Sequence, residues 1–194
     1  MATIANKYKT RLIFISTCAV FDGKKNDAYS EEDLPNPLNV YGKTKLAGED
    51  IVRNATSNYL IIRLGWGFGG NAQKGVFVKF CLEKFKIGEE LNATSDRFGS
   101  LIYTRDFAIE LKKLIENNCE GIYHLANYGL VSYYEIALEI KRLGKFNSKV
   151  YPLPSSETEK NGPPRARMEA LKSNKLKIRS WEEALKEYLK LNIN

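Results

Sequence analysis

Two side chains near the start of the chain have the types and the spacing for proton transfer to a carbonyl oxygen. The segment 39–45, NVYGKTK, places Tyr41 four residues before Lys45, which is about one turn of a helix. A tyrosine phenol has a reference pKa of about 10, and a nearby ammonium group lowers that value. The pair therefore suits a tyrosine that protonates the alkoxide formed when a hydride reaches a ketone.

A pair of hydroxyl side chains precedes this helix at the end of an apolar segment. Residues 11–17, RLIFIST, contain four consecutive apolar residues, which is typical of a strand buried on both faces of a parallel sheet. Ser16 and Thr17 end this strand, where open α/β sheets bind their ligands. A hydroxyl there can hold the carbonyl oxygen beside Tyr41. On spacing alone the Tyr-x-x-x-Lys pattern also fits an ordinary lysine-rich helix, but Thr17 favours the catalytic interpretation of Tyr41 and Lys45.

The catalytic pair needs a helix and a second strand to hold it against the sheet. Asn36 and Pro37 predict a helix start, and the helix should run to about residue 54. An apolar stripe is predicted to pack on the sheet; its members are Val40, Thr44, Ala47 and Ile51. Residues 59–64, YLIIRL, form the next buried strand. Residues 11–64 thus predict one strand-helix-strand unit.

The rest of the chain continues the alternation of helices and strands. The pattern predicts helices over 76–85 and 105–117, the latter capped by Thr104, and a strand over 121–126. Two capping boxes predict two further helices; they are Ser132 with Glu135, in a helix closed by Gly144, and Ser180 with Glu183. Residues 152–167 predict an irregular surface loop. His124, in the apolar strand, is most simply a core residue with satisfied hydrogen bonds.

These elements predict an α/β fold with a parallel sheet of only about three strands. The strand over 11–17 is very apolar, so we expect something to cover its edge: a missing N-terminal half, another chain or a second copy of this one.

Composition excludes several classes of protein. At 194 residues, with 43% hydrophobic and 27% charged residues, the chain is typical of one globular domain. No apolar run approaches the roughly 20 residues of a membrane span, and no secretory signal opens the chain, so we expect a cytoplasmic protein without a membrane partner. The three distant cysteines, Cys18, Cys81 and Cys119, suit a reduced state. Although the net charge is +7, no basic run predicts a nucleic-acid partner.

The catalytic residues lie in a longer segment that resembles a known family. Residues 16–49 are similar to the signature of the dTDP-4-dehydrorhamnose reductases, which belong to the extended short-chain dehydrogenase/reductase superfamily. The segments 63–70, RLGWGFGG, and 96–108, DRFGSLIYTRDFA, resemble later motifs of that family. The resemblance covers the whole chain, which corresponds to about the last two-thirds of the family's length. It implies a partial Rossmann-like sheet ending near residue 70 and a small mixed region, 71–194, that mainly binds substrate.

The resemblance also implies a reaction and a role for each site residue. The family reduces the 4-keto group of dTDP-4-dehydro-L-rhamnose with NADPH or NADH. Tyr41 would donate the proton, Lys45 would hold the nicotinamide ribose and tune Tyr41, and Thr17 would adjust the acidity at the carbonyl. Tyr41 and Lys45 are thus the cofactor-binding residues, while Thr17, Cys18 and Trp66 are the substrate-binding residues. Mg²⁺ at a contact in a homo-oligomer is implied for some members, but no metal-binding residue can be matched.

Departures from the family pattern leave other functions open. Cys18-Ala19 stands where the family usually has Asp-Tyr, and Leu101-Ile102 where it has Pro-Thr; residues 163–168, PPRARM, only loosely echo its Arg-Pro-x-x-Ser segment. The sequence begins close to the catalytic strand, without the glycine-rich dinucleotide turn, so we expect impaired activity from this polypeptide alone. The alternatives are another nucleotide-sugar reductase or epimerase of the superfamily, or a non-catalytic subunit such as the beta subunit of methionine adenosyltransferase, which also resembles these reductases.

Overall fold

Strands and helices alternate along the chain in the computed structural model, which describes residues 1–70, 76–158 and 162–193. The helices in this part of the chain are Ala2–Lys7 (α1), Val40–Ala55 (α2), Phe77–Lys86 (α3), Thr104–Glu116 (α4), Tyr133–Gly144 (α5), Ser155–Thr158 (α6) and Trp181–Asn192 (α7). The strands are Leu12–Thr17 (β1), Tyr59–Leu64 (β2), Trp66–Phe68 (β3), Leu91–Thr94 (β4), Phe98–Gly99 (β5), Leu101–Tyr103 (β6), Gly121–Leu125 (β7), Val131–Ser132 (β8) and Val150–Leu153 (β9). The predicted α/β class is confirmed.

The main sheet has three parallel strands in the order β1-β2-β7. This confirms the parallel pairing predicted for residues 11–17 and 59–64. The register aligns Ser16 with Arg63 and Arg63 with His124, so one polar row crosses the sheet. The next row consists of Thr17, Leu64 and Leu125. Within the described residues, β1 is an edge strand of this sheet.

Smaller two-stranded sheets surround the main one, pairing β3 with β6, β4 with β9 and β5 with β8. The pair β4-β9 corrects the prediction that residues 152–167 are irregular, because β9 reaches Leu153 and α6 follows it. Pro152 is compatible with this strand, since β4 donates its N–H groups to β9 carbonyls. Leu91 N donates to Lys149 O at 2.9 Å, and Ser95 N donates to Leu153 O at 2.9 Å.

Helix α2 begins later than predicted and packs on a different face. Asn39, not Asn36, is the N-cap, and its side chain accepts a hydrogen bond from Gly42 N at 2.8 Å. The predicted apolar stripe is wrong, because Val40 is 76% and Ile51 62% exposed. The buried face consists instead of Gly42, Glu49 and Val52. A glycine and a carboxylate give no apolar signal in the sequence, which is why the pattern indicated the wrong face.

The ends of the later helices follow the capping predictions with two exceptions. Both capping boxes, at Ser132 and at Ser180, are present with reciprocal hydrogen bonds. Thr104 is the first residue of α4 and not its cap; Tyr103 precedes it without a side-chain hydrogen bond. Helix α5 ends at Gly144, but the left-handed residue after it is Lys145, with φ of 54°.

Three apolar clusters hold these elements together. The largest joins the buried faces of α3, α5 and α7 to β3, β4 and β6. A second lies between the main sheet and α4. The third packs the segment after β1 against residues 168–171 and forms the floor of the cleft described below. In the part of the chain that the structure describes, no helix has the length and apolarity to cross a membrane.

Candidate functional site

The candidate site begins where β1 ends. Thr17 is the last residue of β1, and a short 3₁₀ turn, Cys18–Val20, follows it. The Thr17 hydroxyl oxygen accepts a hydrogen bond from Ala19 N at 3.2 Å. The same hydroxyl donates to Cys18 Sγ over a long distance of 4.0 Å. The turn thus orients one hydroxyl donor at the carboxyl end of the strand.

A close contact places the start of α2 against this turn. A Cβ atom at Gly42 would lie 2.2 Å from the Ala19 carbonyl oxygen and 2.8 Å from Pro37 Cβ. Only glycine allows the helix to approach the turn so closely. The neighbouring Tyr41 is therefore held beside the end of β1, and its side chain is 55% exposed.

A cleft of about 600 Å³ opens between these two elements. Four side chains predicted as site residues line it; they are Thr17, Cys18, Tyr41 and Trp66. Later parts of the chain complete its walls with Tyr133, Pro163, Pro164, Arg165 and Glu169. The structure thus brings together residues that are more than one hundred positions apart in the sequence.

Lys45, the fifth predicted residue, lies on the same helix but does not line this cleft. Its Nζ donates a hydrogen bond to the Ile15 carbonyl oxygen at 2.9 Å and lies 5.3 Å from the centre of the Phe14 ring. The Lys45 side chain therefore reaches the backbone of β1 two residues before Thr17. An ammonium group has three N–H donors, so two remain for other partners.

Aromatic rings and a carboxylate form one wall of the cleft. The rings of Trp66 and Tyr133 stack with their centroids 4.3 Å apart and an angle of 10° between their planes. Trp66 Nε1 donates a hydrogen bond to Glu169 Oε2 at 2.8 Å. Neither Tyr133 nor Glu169 was predicted as a site residue from the sequence. The similarity of residues 163–168 to a substrate-side motif was the only signal near Glu169.

Burial controls the charge of two groups on the cleft. It raises the pKa of Tyr133 to about 12, with a smaller contribution from the negative charge of Glu169. Burial, again followed by Glu169, raises the pKa of the Cys18 thiol well above its ordinary value. Both groups are therefore neutral near pH 7. The buried Cys18 thiol contributes packing surface to the cleft and does not act as a nucleophile.

A hydrogen bond joins the start of α2 to the loop on the far side of the cleft. Asn39 Nδ2 donates to the Pro164 carbonyl oxygen at 3.0 Å, while Asn39 Oδ1 caps the helix. One side chain thus fixes both the first turn of α2 and the loop that carries Arg165. This contact sets the width of the cleft at the Tyr41 end.

A buried polar network lies behind the cleft on the opposite side of β1. The Arg63 guanidinium binds the Glu49 carboxylate through Nε at 3.0 Å and Nη2 at 2.7 Å. Ser16 Oγ donates to Glu49 Oε1 at 2.5 Å. Glu49 is 0% and Arg63 2% exposed, so this ion pair is removed from solvent. Its bidentate geometry satisfies both charges.

His124 closes the network, and the prediction of a satisfied core histidine is confirmed. Its Nδ1 lies 3.1 Å from the carbonyl oxygens of both Tyr29 and Lys172, and its Nε2 lies 3.5 Å from Arg63 Nη1. These partners assign the proton to Nδ1, leaving Nε2 as the acceptor. Burial lowers the pKa of His124 to about 4, so the ring is neutral near pH 7.

Other expectations concern the cysteines and metals. Cys18, Cys81 and Cys119 are free thiols, as predicted. Among residues 1–70, 76–158 and 162–193, no group of three or more His, Cys, Asp or Glu side chains is arranged to hold a metal ion.

Comparisons with known proteins agree with this arrangement. A family model described as the RmlD substrate binding domain matches residues 1–193. The spore coat polysaccharide biosynthesis protein SpsK of Bacillus subtilis is 34% identical over 181 residues, which cover 91% of this chain and 63% of that protein. The chain spans about half to two thirds of the length of three curated relatives that it matches.

Solved structures of reductases have a fold similar to that of this chain. The dTDP-4-dehydrorhamnose reductase of Clostridium acetobutylicum is 33% identical with a TM-score of 0.88, covering 98% of this chain and 69% of that one. The reductase of Bacillus anthracis, solved in complex with NADP, is 30% identical with a TM-score of 0.91 and the same coverage.

Proposed function

Because the chain belongs to the RmlD substrate binding domain family, we propose that it provides the sugar-binding and proton-donating part of a dTDP-4-dehydrorhamnose reductase. The reaction is reduction of the 4-keto group of dTDP-4-dehydro-L-rhamnose to dTDP-L-rhamnose. One observation carries the proposal: Thr17, Tyr41 and Trp66, from three separate elements, line one cleft at the carboxyl end of β1. A nucleotide sugar needs such a cleft with an aromatic wall and a few polar groups.

The proposed chemistry uses two hydroxyl groups. Tyr41 donates its phenolic proton to the oxygen of the reduced carbonyl, and its exposed side chain is accessible to a ligand in the cleft. Thr17 donates a hydrogen bond to the same oxygen in place of its long, 4.0 Å contact with Cys18 Sγ, while its own oxygen accepts from the Ala19 N–H. The stacked rings of Trp66 and Tyr133 pack against the sugar and exclude water.

The cofactor of this reaction is NADPH or NADH, which supplies the hydride when bound. Lys45 and Tyr41 fit the hydroxyls of a nicotinamide ribose, because the Lys45 ammonium uses only one donor on Ile15. Lys45 lies about one helical turn from Tyr41, so it holds positive charge on the helix that carries the proton donor. Residues 1–70 would then form the cofactor side of the site, and 71–194 mainly the sugar side.

Two further assignments belong to this proposal. A homo-oligomer with Mg²⁺ at the contact between copies follows from the family resemblance, and sedimentation with and without Mg²⁺ would test it. A cytoplasmic location suits the three free thiols.

The test is an assay of the purified chain with NADPH and dTDP-4-dehydro-L-rhamnose. We expect NADPH consumption and dTDP-L-rhamnose formation at the impaired rate predicted from the sequence, both lost in Tyr41→Phe and retained in Tyr8→Phe, which changes a tyrosine outside the cleft. Product analysis would separate this activity from that of another nucleotide-sugar reductase, which the Cys18 departure favours as the second candidate. Binding of the nucleotide sugar without any reduction would support a non-catalytic subunit instead.

A further inference from the structure

Glu169 is a buried carboxylate on the wall of the cleft, and only part of its hydrogen-bonding capacity is used. Its side chain lines the cleft, yet the residue is only 7% exposed. Oε2 accepts the indole N–H of Trp66 at 2.8 Å. Among residues 1–70, 76–158 and 162–193 no side chain or backbone group donates to Oε1, and Oε1 is not one of the buried polar atoms without a partner, so it is accessible from the cleft. A ligand in the cleft could donate a hydrogen bond to this carboxylate oxygen.

The backbone around Glu169 holds the carboxylate in a fixed position. Glu169 N donates to the Phe98 carbonyl oxygen at 2.7 Å, and Leu171 N donates to Ser100 Oγ at 2.8 Å. Further along, Tyr29 N donates to the Ala170 carbonyl oxygen at 2.8 Å. The backbone is bonded on both sides of Glu169 and its carboxylate is bonded to the Trp66 indole, so the carboxylate can move away from a ligand only by breaking the Trp66 hydrogen bond. A rigid charged group in a binding site selects by repulsion as well as by attraction.

The cleft carries charges of both signs. Arg165 lines the same cleft and brings a positive charge, which suits a diphosphate. Glu169 brings a negative charge next to the stacked Trp66 and Tyr133 rings, which suit the face of a sugar. Its effect reaches both neighbours on the wall, because its charge contributes to the raised pKa of Cys18 and of Tyr133. The charges of the Arg165 and buried Arg97 guanidinium groups also act on Tyr133, so Glu169 is the negative group of a wall with both signs of charge.

We propose that Glu169 is a specificity-determining residue that accepts a hydrogen bond from a sugar hydroxyl and rejects sugars that carry a carboxylate. The cleft would thus select neutral nucleotide-linked hexoses over nucleotide-linked hexuronates. The assignment rests on the proposed function, namely that the cleft binds a nucleotide sugar.

The test compares two ligands that differ in one group. Isothermal titration of the full chain with dTDP-glucose and dTDP-glucuronate measures the preference for CH₂OH over a carboxylate. We expect the wild-type chain to bind the neutral sugar at least about tenfold more tightly. Glu169→Gln keeps the size and the acceptor for Trp66 but removes the charge, so we expect this preference to fall to about threefold or less. Glu120→Gln, the same change at an exposed residue, is the matched control and should leave the preference unchanged.

Two further variants separate a direct contact from a structural role. Glu169→Asp keeps the charge but withdraws it by one methylene, so binding of dTDP-glucose should weaken while dTDP-glucuronate stays excluded. This variant also tests the assignment if Glu169→Gln does not fold. Trp66→Phe removes the indole donor and leaves the carboxylate, so the preference should remain. Loss of the preference in Trp66→Phe would assign it to the indole and overturn the proposal.

The remaining outcomes distinguish this proposal from the proposed function. An unchanged preference in Glu169→Gln, with both sugars still bound, would overturn the role of Glu169 alone. If the wild-type chain bound neither nucleotide sugar nor dTDP, the proposed function would fail, and the role of Glu169 with it.

Discussion

Ser16 and Thr17 are neighbours on β1, but their side chains belong to two regions that use polar groups in opposite ways. Ser16 joins the buried network, in which Glu49, Arg63 and His124 are paired with one another or with backbone carbonyls. Thr17 and Tyr41 belong to the cleft, where Tyr41 is largely exposed and the Thr17 hydroxyl makes a long, 4.0 Å contact with Cys18 Sγ. Paired groups stabilise the fold, whereas groups with unused donors can act on a ligand. The comparison shows that a polar side chain in a sheet indicates function when strong hydrogen bonds do not already occupy its donors and acceptors.

The largest expected effect is on the stability of the network. Arg63→Met leaves the Glu49 charge buried without its partner, so we expect the free energy of unfolding to fall by about 3–5 kcal/mol. Urea unfolding followed by circular dichroism measures this loss. The double variant Arg63→Met with Glu49→Leu removes both charges and should recover much of the stability. A double variant as unstable as the single one would contradict this account.

Acid should weaken the network through His124 before it affects most carboxylates. The folded-state pKa of about 4 lies below the unfolded value of 6.5, because burial disfavours the charged ring. Between these values the unfolded chain binds a proton that the folded chain does not, so stability falls as pH falls from 6.5 to about 4. The full difference corresponds to about 3 kcal/mol. Unfolding midpoints measured across this range should slope less steeply in His124→Gln, and equal slopes would exclude His124 as the cause.

In the cleft, substitution should change activity without changing stability. Tyr41→Phe removes one exposed hydroxyl, so we expect kcat for the proposed reduction to fall by at least about a hundredfold. The urea midpoint should stay within error of the wild-type value. Tyr8→Phe changes an exposed tyrosine that precedes β1 in the sequence, and it should change neither quantity. A Tyr41→Phe chain with unaltered kcat would remove Tyr41 from the mechanism.

The smallest predicted effect links the two regions. Gly42→Ala would put a Cβ 2.2 Å from the Ala19 carbonyl oxygen, so α2 must shift, at a cost of about 1–3 kcal/mol. Since α2 carries both Glu49 and Tyr41, stability and kcat should fall together. Gly67→Ala is the matched control, because a Cβ there meets nothing within 4 Å. Loss of stability with full activity would show that the cleft tolerates movement of α2.

The sequence predicted the cleft better than it predicted the packing around it. Thr17 and Tyr41 could be identified because a strand end and a helix start lie close together in the chain. Glu169 could not, because its place beside Trp66 depends on a segment more than one hundred residues later. The packed face of α2 was predicted wrongly for a related reason: Glu49 is buried only because Arg63, from another strand, neutralises it.

The register of β1 has a consequence for how the site is specified. Ser16 pairs with Arg63 and Thr17 with Leu64, so a slip of one residue would exchange the two hydroxyls between the two sides of the strand. A slip that puts Ile15 in the place of Ser16 would leave the buried Glu49 carboxylate with one hydrogen bond fewer. The buried ion pair therefore disfavours that misaligned register. The register that satisfies Glu49 is also the one in which Thr17 lines the cleft.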